Sequence, residues 1–438
     1  MNIGTASSDF LFAAWEGGGD MPPLLSAVRR LVGRGHRVRV MSDDCNRPEI
    51  EAAGADFVGY REAPNRPDKS EATEVVRDWE GLTPAEGLGR LRDRVMCGAA
   101  LAYARDVAAE IRHRRPDLVV SIDLLFGPMI GAEAAGVPYA VLSSHVCIHP
   151  LAGIPPFGPG FLPARNEEER QRDAAVAADN RAMFNLGLPA VNAARRAFGL
   201  PPLNDAAEQL ATARRYWLAT SPAFDFPADH LPENFRYVGP ELDDPPLVRR
   251  WESPWSPEDP RPLVLVAFST TFQNQVRAIG RVADALGRLP VRGLVTLGAA
   301  LEGTQVCVPD NVAAVRSAPH GVVMREAAAV VTHCGHGTVM KALAQGLPML
   351  CMPMGRDQHD NAARVVARGA GLLSSPDASV AEIAEAVRCL LDDPGFRSAA
   401  ERLGERVRRD GAGSTLVGEL EAAATTAEPT ADWRAFAC

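Results

Sequence analysis

No two of the eight cysteines stand at CxxC spacing, so the sequence offers neither a zinc framework nor the paired thiols of a disulfide scaffold. They read as the reduced thiols of a cytoplasmic protein. Basic residues are in deficit: 46 Lys and Arg against 55 Asp and Glu leave a net charge of −9. No Lys/Arg cluster with interleaved aromatics offsets this, which excludes nucleic acid as the expected partner. Long apolar runs are missing as well. No stretch reaches the ~18 uninterrupted apolar residues of a membrane helix, and the start, MNIGTASSDFLFAAWEGGGD, lacks the positive n-region and long apolar core of a signal peptide. Short repeats and low-complexity tracts are absent. What remains is a globular mixture, 46% hydrophobic and 23% charged over 438 residues, enough for two cores at roughly 100–200 residues per domain.

Short apolar runs alternate with helical patterns. DFLFAAW (9–15) reads as a strand, and PPLLSAVRRLV follows with Leu24, Leu25, Val28, Leu31 and Val32 on one helical face. RVRVMS (37–42), RPDLVVSID (115–123) and VPYAVLS (137–143) continue the rhythm, which implies a parallel sheet covered on both faces. Residues 60–87, which are polar, and 145–165, dense in Pro and Gly, interrupt it as candidate binding loops. After the proline- and acid-rich GPELDDPPLVRRWESPWSPEDPRP (239–262) the rhythm restarts: LVLVAFS (263–269), a helix near 272–288, VRGLVTLG (291–298), VAAVR (312–316), AAVVTH (328–333) and PMLCMP (348–353).

The segment HCGHGTVMKALAQGLPMLCMPMGRDQHDNAARV (His333 to Val365) carries the chemistry. A strand ends at His333, Cys334-Gly335-His336-Gly337 form a loop, and Thr338 opens a helix. Glycines let the backbone approach a ligand closely, and the N–H groups of a helix start, aided by its dipole, hold an anion such as a diphosphate. Past the next strand, Asp357 and Gln358 can accept from and donate to several sugar hydroxyls at once. A tight structural turn at Gly335 and a helix cap at Asp357 are the plain alternatives.

From about Pro309 to Gly371 the chain resembles the donor-binding signature of the family 1 glycosyltransferases. Members from plants begin it HCGWNS and end it in an acid followed by Gln, where this chain has HCGHGT and Asp-Gln. GGGDMPPLL and PDLVVSID…GVPYAVL fit the family's layout more loosely. The resemblance implies an α/β chain of the GT-B fold, two Rossmann-like domains whose parallel sheets face each other across a cleft. Residues 1–240 would bind the acceptor, 241–262 link, 263–415 bind the nucleotide-sugar, and 416–438 form a helix packing back on the first domain. By the same resemblance His333 contacts the donor diphosphate, with the backbone of Gly335, His336, Gly337 and Thr338 and the Thr338 hydroxyl assisting. Ser269 and Thr270 match the other phosphate contact, Ala318 holds the base through its backbone, and Asp357 and Gln358 hold the sugar.

Three positions depart from the pattern. Ser317 stands where plant members stack the base on Trp, so stacking must come from elsewhere. Lys341 replaces the Glu that binds ribose, which leaves uridine and thymidine both open. Asp20 aligns with the usual catalytic His of the loop after the first strand. An Asp near its ordinary pKa of ~3.9 is a weak base unless burial raises it. Asp123 occupies the place of the family's dyad Asp, so Asp20 and Asp123 are expected to face each other near the acceptor; each is also a plausible helix cap. His145 and His149 are the other candidate bases. Phe157, Phe161, Met183 and Phe184, with loops 60–87 and 145–165, suggest an apolar acceptor pocket, with ordinary core packing as the alternative.

The expected activity is inverting, metal-independent transfer of a hexose from a UDP- or dTDP-sugar to a small hydrophobic acceptor such as a natural-product aglycone. No cofactor beyond that co-substrate is expected, and the chain is read as a monomer or homodimer. A nucleotide-sugar epimerase on the same frame would cluster carboxylates and histidines at the donor sugar and lack an acceptor pocket. A non-catalytic nucleotide-sugar-binding partner is the third reading, which the missing His keeps open.

Overall fold

The protein, seen in a computed structural model, is described over residues 7–81, 83–243, 251–301, 303–304 and 306–425. The first sheet comprises β1 (Asp9–Ala13), β2 (Arg37–Ser42), β3 (Asp56–Gly59), β4 (Leu118–Ile122), β5 (Tyr139–Ser143), β6 (Tyr216–Leu218) and β7 (Phe235–Tyr237). The second comprises β8 (Leu263–Ala267), β9 (Arg292–Thr296), β10 (Val312–Val315), β11 (Ala327–Thr332), β12 (Met349–Cys351) and β13 (Gly371–Leu373). Their orders are β3-β2-β1-β4-β5-β6-β7 and β10-β9-β8-β11-β12-β13. Every pairing is parallel. Each half starts at an inner strand, runs to one edge and returns to build the other. The crevice over the strand ends at that reversal, β1/β4 in one sheet and β8/β11 in the other, is where such sheets take ligands.

The two parallel sheets anticipated from the rhythm are both present. DFLFA, LVVSI, YAVLS and LVLVA are buried at every position, as strands covered on both faces must be. The helix Met21–Gly33 carries Pro in its first turn, where a missing N–H costs nothing, and buries Leu24, Leu25, Val28 and Leu31. Four further strands, β3, β6, β7 and β13, have only three or four residues each. Such lengths carry no readable period.

Of the segment 241–262, residues 244–250 lie outside the described residues, as do 426–438. The helix Leu416–Thr425 places Leu416, Val417, Leu420 and Ala423 in the core of the first sheet, and Glu421 accepts at 2.9 Å from Arg34 and His36. The halves are also knit in the other direction. Val146, Ala223 and Phe224 pack in the core of the second sheet, and buried Arg364 donates to buried Asp225 at 2.8 Å. Among the described residues no helix is long and apolar enough to cross a membrane.

Candidate active site

The loop between β1 and the helix Met21–Gly33 reads Trp15-Glu16-Gly17-Gly18-Gly19-Asp20. Gly18 has φ +84°, and a Cβ there would lie 2.6 Å from the Thr270 hydroxyl. A glycine is therefore needed for this loop to meet the loop after β8. Asp20 occupies the helix N-cap position but makes no side-chain cap bond. Its carboxylate instead accepts from Ser144 Oγ at 2.5 Å. Only 7% exposed, Asp20 has its pKa raised, chiefly by burial; the charge of His145 and the Ser144 bond offset part of this, while Asp123 and Asp357 add to it.

Asp123, fully buried at the end of β4, accepts from Tyr216 Oη at 2.7 Å and from His145 Nε2 at 3.1 Å. Burial works to raise its pKa, but the charge and bond of His145 and the Tyr216 bond outweigh it and hold the carboxyl below its ordinary value. His145 Nδ1 donates to the Val146 carbonyl at 2.8 Å. With acceptors on both nitrogens, the ring is an imidazolium. Burial alone would lower its pKa, yet Asp123, Asp20 and Asp357 push it up to about 10. So the three residues proposed from the sequence do meet, in an arrangement other than the expected pair of facing carboxylates: a histidine cation is seated on Asp123, and Asp20 stands apart on Ser144. His149 joins neither carboxylate. Its ring lies 5.4 Å from Phe235, and burial pulls its pKa down to about 4.

The donor loop follows β11. Cys334 takes φ +70°, held by its N–H on Thr332 Oγ1 at 3.1 Å and its carbonyl on Asn361 Nδ2 at 2.9 Å. A Cβ at Gly335 would strike His333 Nε2 at 2.6 Å, so the glycine lets the histidine lie over the loop. The helix His336–Ala344 then begins, and its first-turn N–H groups lack intrahelical partners. A Cβ at Gly337 would meet nothing within 4 Å, which puts open space in front of that turn. His333 is neutral: burial, with the nearby Arg356 charge, lowers its pKa to about 4. The His336 ring is engaged elsewhere, on Thr220 Oγ1 at 2.7 Å, leaving only its backbone for the donor. Buried Ser269 bonds to Thr271 Oγ1 at 3.0 Å, whereas Thr270 is exposed beside Gly18. Ala318 is half-buried past the end of β10.

Asp357 makes no cap bond to the helix Gln358–Ala367; its Oδ2 accepts from Asn361 Nδ2 at 2.7 Å. Gln358 is committed within the protein. Its Oε1 accepts from the Met354 and Gly355 N–H groups at 2.7 and 3.2 Å, and its Nε2 donates to Gln273 at 3.0 Å. Of the expected sugar pair, Asp357 is therefore the more available.

Residues 280–423 match the family described as "Erythromycin biosynthesis protein CIII-like, C-terminal domain". The 4'-demethylrebeccamycin synthase of Lentzea aerocolonigenes is 30% identical over 400 residues, 90% of this chain and 94% of that one. The chain belongs to the natural-product branch of the family 1 glycosyltransferases. It is thus an enzyme that takes a glycosyl group from a nucleotide-sugar. The NDP-glycosyltransferase YjiC of Bacillus subtilis (strain 168) is 23% identical over 92% of this chain and 94% of its own. Among solved structures, the glycotransferase of kitacinnamycin superposes with a TM-score of 0.72 at 21% identity, covering 95% of this chain and 99% of that one. Its fold, like this one, is GT-B.

In this glycosyltransferase the four side chains expected to line the acceptor pocket have different surroundings, although Asn180, on the helix of Met183 and Phe184, donates to the Phe157 carbonyl at 2.7 Å. Phe184 packs against the first core and Phe157 against the second. Phe161 lies under the Arg172 guanidinium at 3.7 Å, and Met183 offers its carbonyl to Arg92 at 2.8 Å. Ordinary packing explains at least Phe157 and Phe184. Loop 145–165 does reach the site, clipped to the donor helix by the Gly158 and Gly160 N–H groups on Asp360 at 2.7 and 3.1 Å. Hydrogen bonds to a charged group contribute about 1.5–3 kcal/mol each. Replacing Asp360 with Ala should accordingly speed amide exchange at Gly158 and Gly160 at least ~10-fold. Unchanged protection in exchange mass spectrometry would show that the clip does not hold the loop.

Sequence reasoning missed Ser144, Tyr216, Asp78, Gln273 and Arg356. Arg356, at φ +54°, donates to Asp78 Oδ2 at 2.7 Å and to the Gly17 carbonyl at 3.3 Å. Gln273 donates to the same Asp78 oxygen at 3.3 Å. Loop 60–87, assigned from the sequence to the acceptor, is thus bonded to the donor half. The GRDQ run holds Arg356 directly before Asp357 and Gln358, the pair expected to hold the sugar, and an arginine there was a visible signal.

Proposed function

We propose that this glycosyltransferase moves a hexosyl group from UDP- or dTDP-hexose, with inversion and without a metal ion, to a small hydrophobic acceptor, with Asp20 as general base. The observation that carries the reading is the state of the cleft cluster. Asp20 is a buried carboxylate of raised pKa, free of any capping duty, while both nitrogens of His145 already donate to acceptors. A ring with no lone pair cannot take the acceptor proton, so the proton goes to Asp20. The His145 cation steadies the Asp20 carboxylate, and Asp123 with Tyr216 positions that cation. The leaving diphosphate would lie on the N–H groups after Gly335 and the Thr338 and Thr270 hydroxyls, preorganised donors that stabilise developing charge; His333, whose Nδ1 already faces the Ala267 carbonyl at 3.4 Å, would join them once the diphosphate charge protonates its ring. The nucleotide-sugar is then the only co-substrate needed. Thymidine diphosphate is bound in the solved structure of the glycosyltransferase VinC, which makes dTDP-hexose as natural a test donor as UDP-hexose.

The test is incubation with UDP-glucose and dTDP-glucose and a panel of phenolic and macrocyclic acceptors. The expected result is a mass gain of one hexose on an acceptor, with inverted anomeric configuration. Epimerised free donor, or binding without transfer to any acceptor, would overturn the reading. The donor assignment has its own check. UDP and dTDP should raise the melting temperature of the wild-type protein, and His333→Ala should lose most of that rise; an unchanged shift rejects His333 as a phosphate ligand.

A further inference from the structure

A cavity of about 1060 Å³ opens between the two halves, away from the Asp20 cluster. Lys69 and Trp79 of the first half line one wall; Phe272, Ala299, Ala300 and Arg316 of the second line the other. The second wall continues the donor site in both directions along the chain. Phe272 follows Thr270 by two residues and Arg316 precedes Ala318 by two. Gly298, next to Ala299, is packed so that a Cβ there would touch the Thr270 backbone at 3.6 Å. The cavity is therefore bordered by the chain neighbours of both the expected phosphate contact and the segment expected to hold the base.

This path lacks the aromatic residue that plant members place after β10, since Ser317 is exposed at that point. The cavity supplies aromatics from another direction. Trp79 and Phe272 meet edge to face, ring centres 4.9 Å apart at 83°. Such a pair leaves π-faces open to a third flat group. Trp79 is carried over the donor half by its neighbour Asp78, which Arg356 and Gln273 hold from beside the sugar-binding pair. The residues expected on the acceptor, Phe157, Phe161, Met183 and Phe184, do not line this space.

We propose that Trp79 and Phe272 form the platform on which the donor's nucleobase stacks, so that a loop of the acceptor-side half completes the nucleotide site. This rests on the donor-site reading above. Stacking a base on an aromatic side chain contributes about 1–3 kcal/mol, so truncating one aromatic should weaken nucleotide binding roughly 5- to 150-fold. The full-length protein is titrated with UDP and with dTDP by calorimetry, in parallel with tryptophan emission, for wild type, Trp79→Ala, Trp79→Phe, Phe272→Leu and His333→Ala. Expected are weaker binding of both nucleotides by Trp79→Ala and Phe272→Leu, near-normal affinity for Trp79→Phe, and loss of the nucleotide-induced emission change in Trp79→Phe. If Trp79→Ala and Phe272→Leu bind both nucleotides within twofold of wild type while His333→Ala does not, the platform is wrong and the donor site stands. If His333→Ala also binds normally, the donor-site reading fails first. A raised acceptor KM in Trp79→Ala with unchanged nucleotide affinity gives the cavity to the acceptor and overturns the proposal.

Discussion

Asp20→Asn is expected to lower kcat by about 10²–10⁴-fold, the range that a positioned general base contributes, while leaving the affinity for UDP within a few-fold of wild type. The asparagine keeps the volume and an oxygen for Ser144 but cannot take a proton. The pH profile gives an independent check. A base works only when deprotonated, and burial raises the pKa of Asp20 above 3.8. Activity should therefore climb as pH rises through that elevated value. It should decline again as His145 loses its proton near pH 10, because the cation that steadies the Asp20 carboxylate is then gone. In Asp20→Asn the acidic limb should vanish. Turnover within fivefold of wild type, with the limb intact, would assign the proton to another group and reopen the case of His145.

What could be read in the sequence was what lies close along the chain. The loop from His333 to Thr338 is a strand end, two glycines and a helix start within six residues, so its turn into the helix follows from local rules. The ends of β4 and β5 were equally visible, at Asp123 and just before His145. Their meeting was not, because it depends on β4 and β5 being sheet neighbours with Ile122 opposite Leu142. Tyr216 reaches Asp123 by the same route, one strand further on, with Val141 opposite Tyr216. The three residues of β6 carry too short a pattern to announce a strand. Asp20 and Asp123 were expected to face each other near the acceptor; instead His145 is bonded to Asp123 and Ser144 to Asp20, since charge balance in a buried cleft favours seating a histidine cation against the deeper carboxylate. Loop 60–87 was legible as a polar candidate binding loop, assigned to the acceptor. That Asp78 within it bridges to Arg356 is decided by how the halves pack, and no period or composition encodes that contact.

The deeper carboxylate gives the second large effect. Asp123→Ala leaves the His145 cation and the Tyr216 hydroxyl facing a void, and removing one partner of a buried ion pair costs about 3–5 kcal/mol. The pH dependence fixes the origin of that loss. The pKa of His145 lies at about 10 in the folded protein against 6.5 ordinarily, so its stabilisation is whole below about pH 6.5 and disappears as pH rises through 10. Asp123 is depressed below 3.8, so its contribution is whole above that value and disappears as pH falls through the folded pKa. The stability gap between wild type and Asp123→Ala, measured by urea unfolding, should therefore be widest between about pH 4 and 6.5 and should narrow steadily towards pH 10. The same substitution should move catalysis in a way that a packing defect would not. With its counter-charge gone, His145 titrates near or below neutrality, Asp20 loses the cation that lowers its pKa, and the acidic limb of the rate profile shifts to higher pH. Asp123→Asn should sit between the two, because it preserves an acceptor for Tyr216 and no charge for His145. A gap of equal size at pH 5.5 and 9.5, with an unmoved acidic limb, would show that Asp123 holds Tyr216 rather than a histidine cation.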